Sequence, residues 1–246
     1  MSRTVNMRHF RRDPLPRGAV LSPEVWLVHA DAAAEFAEVL DATERRRAAA
    51  LRRPEDRATY QASHGALRVL AAARLGVDPA RLAFHQEACP GCAGPHGRPV
   101  ISGHPELQFS LSHTGSLALI AFAPVPVGVD VEAVPEPDAL RDLTAALHPQ
   151  ERTELGQVDP GWRAFAFTRC WTRKEACLKG TGEGIAGEGF ARTVVGVGER
   201  PRPVPGWTLT DLRVGEGHAA ALAVRDHATV LDGLGERRSD PPHRFS

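Results

Sequence analysis

The stretch Cys170–Gly180 reads Cys-Trp-Thr-Arg-Lys-Glu-Ala-Cys-Leu-Lys-Gly and puts charge where a helix needs apolar surface. The pattern predicts a helix from near Trp162 to Gly180, a residue suited to the position just past a helix end. At about 100° per residue, Ala164, Phe167, Trp171 and Leu178 share one face, so a folded chain must cover that face. Lys174 projects about 20° from Phe167, inside the apolar stripe. Glu175 lies at its border, and Lys179 falls one turn later on the same side. Charges on a covered face need a partner or a task. The plain alternative is a solvated pair, Glu175 with Lys179, and a Lys174 whose stem is buried while its ammonium reaches water.

A second acidic element lies upstream. In Val127-Gly128-Val129-Asp130-Val131-Glu132 the valines alternate with the other three residues, the period of a strand. Asp130 and Glu132 then point to the same side, roughly 7 Å apart along the chain. Two carboxylates on one strand face repel each other, and a cation relieves the repulsion. Oxygen-only ligands suit Mg²⁺. An exposed edge with two solvated acids is the other reading of an isolated D-x-E pair.

Composition narrows the function classes. Lys+Arg and Asp+Glu both number 30, so net charge gives no argument for nucleic acid or a membrane surface as partner. The longest apolar run, around Leu117–Val127, is broken by Pro124 and Pro126 and is too short to cross a bilayer. The Arg-rich start lacks the apolar core of a secretory signal; it could suggest organelle targeting, but it reads as an N-terminal arm, and the expectation is a cytoplasmic protein. The 246 residues allow one large domain or two small ones.

Taken in order, residues 1–20 form an irregular arm. Val25–Val28 reads as a strand, Asp31–Leu51 as a helix and Asp56–Leu75 as a second helix. Strands follow at Leu82–Gln86, Gln108–Ser112 and Leu117–Phe122. A short helix is expected around Ala139–Leu147, and further strands near Phe190–Val197, Trp207–Val214 and His218–Val224. Residues 231–246 are polar and read as a loose tail. The glycine-rich Thr181–Gly189 follows a helix instead of opening one, so it does not fit a phosphate loop. Ser112-His113-Thr114-Gly115 is a tight turn that offers N–H groups, hydroxyls and an imidazole to an anion.

Cys89 and Cys92 form a C-x-x-C with His96 close behind. A zinc site needs a fourth ligand, none stands at a familiar spacing, and His85 or His104 would have to be recruited. The expectation from spacing is that replacing both cysteines leaves metal content unchanged. Cys170 and Cys177 read as small core residues.

Gly128-Val129-Asp130-Val131-Glu132, followed about forty residues later by Trp171-Thr172-Arg173-Lys174-Glu175-Ala176 and Lys179, resembles the paired signature of the 4'-phosphopantetheinyl transferases. These enzymes move phosphopantetheine from coenzyme A to a serine of a carrier protein. The length resembles the long, surfactin-synthetase-activating type, a monomer of two similar halves. The resemblance covers roughly residues 50–225 and implies an α+β fold with a pseudo-twofold axis and an active site between the halves. It implies halves at 21–123 and 124–226, with the arm before them and a tail over 227–246. A faint internal echo agrees: strands near Leu107 and Leu117 and strands near Trp207 and His218 are offset by 100 and 101 positions (207 − 107 and 218 − 117).

By the same resemblance, Asp130, Glu132 and Glu175 hold Mg²⁺ on the pyrophosphate of coenzyme A, and Glu175 and Lys179 are catalytic. Arg57, His64 and Arg68 are candidates for the 3'-phosphate, although the family often has a basic residue where Thr59 stands. Arg98 and Pro99 stand where the family usually has Lys-Pro, with a planar fork replacing a point charge. Ser112, His113, Thr114, Lys174 and Lys179 complete the coenzyme-binding set. The implied partners are acyl or peptidyl carrier proteins of fatty acid, polyketide or non-ribosomal peptide synthases. A hydrolase of coenzyme A or another nucleotide pyrophosphate, and a silent carrier-binding relative, are the competing readings.

Overall fold

Two helices of 22 residues each brace the molecule, and each starts with a proline whose missing N–H would have had no partner there anyway. The structure, a computed structural model, describes residues 7–226 apart from 12, 37 and 185–188. In chain order the elements are β1 (Met7–His9), β2 (Glu24–His29), α1 (Ala42–Ala50), α2 (Pro54–Leu75), β3 (Phe84–Gln86), β4 (Pro99–Ile101), β5 (Gln108–Thr114), β6 (Leu117–Ala123), β7 (Val127–Ala133), α3 (Pro137–Thr144), α4 (Pro149–Gly156), α5 (Pro160–Thr181), α6 (Gly189–Arg192), β8 (Trp207–Leu212) and β9 (His218–Arg225). A 3₁₀ segment, Ala30–Phe36, precedes α1.

The strands form a sheet in the order β1-β2-β6-β5, a second in the order β7-β9-β8 and a small β3-β4 pair. Among the described strands only the β1–β2 pairing is parallel. Every residue of β6 is buried, as its unbroken apolar run requires of a strand covered on both faces. Its Ala118, Ile120 and Phe122 pack under α2 with Trp26, Val28, Leu67 and Leu70. Its Leu119, Ala121 and Ala123 join Val127, Val129, Val131 and Leu222 in a core between the two sheets. Across the second sheet, Phe167, Ala176 and Leu178 of α5 cover Trp207, Ala221 and Ala223. The layers are thus helix, sheet, sheet, helix, a mixed α and β architecture.

The sequence expectations differ from this fold in several places. The single helix expected over Asp31–Leu51 is two segments, because Asp41 and Glu44 form a reciprocal capping box that starts α1 afresh. The helix expected around Ala139–Leu147 is α3, which ends at Thr144, and a further helix not expected from the sequence, α4, begins at Pro149 behind the His148 cap. No strand forms over 190–197. The Val195 and Gly196 amides donate instead to the buried Glu151 carboxylate, which removes them from any ladder. Part of the supposed arm is β1. The helix expected to stop at Gly180 runs one residue further, and Gly182 (φ 84°) supplies the left-handed turn that ends it. The predicted tail over 231–246 lies outside the described residues.

The glycine at 180 has a different task. A Cβ there would stand 2.5 Å from the Trp207 ring, and one on Gly128 would stand 1.9 Å from the Ala176 carbonyl oxygen. Helix α5 therefore crosses β7 with backbone against backbone. Gly128→Ala is expected to destabilise the protein by about 3 kcal/mol, the upper end for overpacking, because the obstacle is main chain that cannot swing aside. Urea unfolding of the variant against wild type measures it.

Candidate active site

The face of β7 that meets α5 carries Gly128, Asp130 and Glu132, while Val127, Val129 and Val131 point into the core between the sheets. Because Gly128 lets the helix in, Glu175 and Lys179 of α5 come down beside these acids. Lys179 Nζ donates to Asp130 Oδ1 at 2.7 Å and to Ser112 Oγ at 2.8 Å. The Ser112 hydroxyl donates to the same Asp130 oxygen at 2.7 Å. Ser112 and Ser110 belong to β5, and their hydroxyls accept from the β7 amides of Val131 and Val129. Two serine side chains thus stitch β5 to β7 along the seam where the acids sit.

The acids are under strain of charge. Asp130 is 1% exposed and Glu175 3%. Burial, then the charge of Asp130, pushes the Glu175 carboxyl up to about 7, with Lys179 opposing and Glu132 adding. Burial and Asp130 also raise Glu132, against Lys179 and a hydrogen bond from the Thr114 hydroxyl. Asp130 Oδ2 and Glu175 Oε1 are buried with no hydrogen-bond partner. Unsatisfied buried carboxylate oxygens beside further acids are a demand for positive charge. An all-oxygen donor set of this kind fits a hard divalent cation such as Mg²⁺. Here Lys179 meets part of that demand. Asp130, Glu132 and Glu175 do not converge into a closed ligand set, since only one other trio among the described residues brings its ligating atoms within 4.8 Å of one another.

Next to the acids opens a cleft of about 830 Å³. Its lining includes Arg47, Arg98 and Lys179, the imidazoles of His64 and His113, Pro99, and the acids Asp41 and Glu44, and the cavity is large enough for a nucleotide-sized ligand. His64 stacks on Tyr60 at 4.0 Å between centroids and lies 3.8 Å from Glu44. Arg98 is aimed by hydrogen bonds to Gln108 and Glu87. His113 sits on the rim of β5, its imidazole held below the ordinary value by partial burial and by the charges of His64 and Lys179.

The predicted site residues therefore fall into groups. The fold gathers His64, Arg98, Pro99, His113 and Lys179 on the cleft, and Ser112, Thr114, Asp130, Glu132 and Glu175 at the seam beside it. Arg68, expected at a phosphate, is fully buried and spends its donors on Glu44, Asp41 and the carbonyls of Pro79 and Leu82. Arg57 donates to the Leu51 carbonyl and does not line the cleft. Lys174, expected at the coenzyme, is also fully buried. It is paired with Glu151 at 2.7 Å and donates to the carbonyls of Phe190 and Thr193, so it is a strut of the C-terminal core. Thr59 ties α2 to the β5–β6 turn by donating to the Gly115 carbonyl. Sequence reasoning missed Arg47, which an arginine run at 45–47 did not single out, and the glycines 182 and 184, which line the cleft although their loop follows a helix.

The raised acids make stability depend on pH. A carboxyl lifted from 4.5 to about 7 binds its proton more tightly in the folded state. Its contribution is complete below about 4.5 and is lost as pH rises through about 7. Metal-free protein in chelator should lose on the order of 2 kcal/mol between pH 5 and 8, after allowance for screening at the cleft mouth. Glu175→Gln should flatten that slope. Chemical denaturation at a series of pH values decides, and equal slopes in both proteins would contradict the assignment.

The comparisons with known proteins converge on one family. The model of the 4'-phosphopantetheinyl transferase superfamily matches residues 126–221, the span from just before β7 into β9. The 4'-phosphopantetheinyl transferase HetI of Nostoc sp. is 30% identical over 197 residues, 77% of this chain and 80% of that protein. A Synechocystis sp. protein named as a candidate 4'-phosphopantetheinyl transferase is 30% identical over 171 residues, 67% of each chain. The 4'-phosphopantetheinyl transferase Sfp of Bacillus subtilis is 29% identical over 91 residues, 37% of this chain and 40% of that one. With likeness of this extent, and with the β7 acids and the α5 Glu-Lys pair meeting inside the matched span, the chain belongs to the 4'-phosphopantetheinyl transferase superfamily.

Proposed function

We propose that this protein transfers 4'-phosphopantetheine from coenzyme A to a serine of an acyl or peptidyl carrier protein and releases 3',5'-ADP. The observation that carries the reading is the Asp130–Ser112–Lys179 cluster, with its unsatisfied Asp130 and Glu175 oxygens, beside a cleft to which Arg47, Arg98 and Lys179 contribute positive charge. Asp130, Glu132 and Glu175 are the residues to hold Mg²⁺. The ion, when bound, neutralises charge on the pyrophosphate oxygens. The protein's own groups do the rest. Lys179 and His113 face the phosphoryl oxygens and stabilise charge that grows there. Arg98, His64 and Arg47 orient the nucleotide. Glu175 takes the proton of the attacking serine, directly or through water. The serine oxygen attacks the β-phosphorus, and the bond to 3',5'-ADP breaks.

The same reading makes the chain one of the long, surfactin-synthetase-activating type. Its halves, 21–123 and 124–226, would be related by a pseudo-twofold axis, and a long helix on an antiparallel sheet in each half supports this. It would act as a cytoplasmic monomer on carriers of fatty acid, polyketide or non-ribosomal peptide synthases, without nucleic acid or membrane. Among the described residues no helix is long and apolar enough to cross a membrane.

Incubated with coenzyme A and Mg²⁺, an apo-carrier protein should gain the mass of one phosphopantetheine on a serine. Coenzyme A consumed equally well without carrier would instead mark a hydrolase. Two variants separate the roles. Asp130→Ala removes an oxygen from the metal set, so activity should collapse and recover in part at raised Mg²⁺. Lys179→Ala leaves the acids in place and should lose about 10²–10³ in rate that no added Mg²⁺ restores. Turnover against Mg²⁺ concentration, on variants shown to be folded, reads both; equal rescue of the two would refute the division.

A further inference from the structure

The loop between β3 and β4 holds a second constellation that phosphopantetheine transfer does not use. Cys89, Cys92 and His96 bring one ligating atom each within 4.8 Å of one another, the trio noted above as unmatched among the described residues. Their turn is built around the two sulfurs. The Cys89 amide donates to the Gly94 carbonyl and the Ala93 amide to the Cys89 carbonyl, both at 2.8 Å. Ala93 is driven to φ 58°, a left-handed conformation that costs a non-glycine residue energy. The Gly94 N–H points at Cys92 Sγ at 3.4 Å, and the N–H groups of Cys92 and Gly91 face the Cys89 sulfur. Donors aimed at sulfur favour thiolate, the form that binds metal.

His96 Nε2 stands 3.0 Å from Cys92 Sγ. Tetrahedral zinc, with Zn–S near 2.3 Å and Zn–N near 2.0–2.1 Å, would set this separation at roughly 3.6 Å, so a small outward shift of the ring admits the ion. Gly94 keeps the space open: a Cβ there would lie 3.1 Å from His96 Nε2 and 3.2 Å from Cys92 Sγ. His85 and His104, the recruits that spacing suggested, bond Ser102 and Glu106 instead.

We propose that Cys89 Sγ, Cys92 Sγ and His96 Nε2 bind one zinc ion, with water as the fourth ligand, and that the ion locks this loop into the wall of the cleft. Two soft thiolates and an imidazole select zinc over the hard cation of the acidic site. The placement gives the ion its structural task. Pro95, His96 and Arg98 line the cleft, and Cys89 Sγ lies 3.8 Å from the Glu183 carbonyl, just past the end of α5. This proposal runs against the expectation from spacing, which demanded a fourth protein ligand; the turn that folds the three side chains together is the new observation.

The test is independent of the transfer reaction. Untagged protein, purified without chelator, is analysed for zinc by mass spectrometry, and the metal-free protein is titrated with Co²⁺. The expected results are one zinc per chain and a thiolate-to-cobalt charge-transfer band that saturates at one equivalent. Cys89→Ser with Cys92→Ser should lose both, and His96→Ala should weaken cobalt binding and make loop 87–98 more sensitive to limited proteolysis. Wild-type protein that contains no zinc and gives no such band would overturn the proposal, as would a double variant that keeps stoichiometric zinc or a thiol count showing Cys89 and Cys92 joined as a disulfide. If the variants fail to fold, the wild-type zinc content and cobalt titration still decide.

Discussion

The contact on which the active site depends is the crossing of α5 over β7, where Gly128 lies under the Ala176 carbonyl and Gly180 lies under the Trp207 ring. Side chains at either glycine would lift the helix off the sheet. Without that approach Glu175 and Lys179 would sit farther from Asp130, and three acids and a lysine on two elements would remain separate surface charges. Close packing converts a motif spread over fifty residues into one electrostatic unit.

That unit is built to be unsatisfied. Most buried polar atoms in folded proteins find partners, and the charged residues of this core conform. Lys174 is neutralised by Glu151, Arg173 by Asp211 and Arg68 by Asp41 and Glu44. Asp130 and Glu175 depart from the rule, each keeping a buried oxygen unmet. Among the buried carboxylates the contrast is sharp: Glu151 bonds Lys174 and the Val195 and Gly196 amides, whereas Asp130 and Glu175 each leave an oxygen for a ligand. The cost falls on stability, as the raised Glu175 shows, and the surrounding core between the sheets offsets it.

The cleft is assembled in the same manner, from groups far apart in the chain. Arg47 and His64 come from α1 and α2, Arg98 from β4's approach, His113 from β5 and Lys179 from α5. Several are aimed by neighbours, Arg98 by Glu87 and Gln108, His64 by Tyr60 and Glu44, and Lys179 by Asp130 and Ser112. Pro95 and His96, from the loop that carries Arg98, belong to the same wall.

By itself the sequence determined the local rules. The alternation at 127–132 put Asp130 and Glu132 on one side of a strand, and the helical period placed Glu175 and Lys179 one turn apart on a helix with a buried stripe. The unbroken apolar run of β6 announced a strand covered on both faces. These follow from backbone geometry, which is short-ranged and repeats every two or 3.6 residues. What lies against each face is a long-range matter, and only the tertiary structure decided it. Period alone could not tell that Lys174, inside the stripe, would meet Glu151 from α4, or that Arg68 would be spent on Asp41 and Glu44 while the neighbouring His64 faced the cleft. Nor could it show that the 190–197 segment would give its amides to a carboxylate, or that Cys89, Cys92 and His96 would close on one point. Partners across a fold are chosen by packing and charge compensation among elements distant in the chain, and no local pattern carries that information.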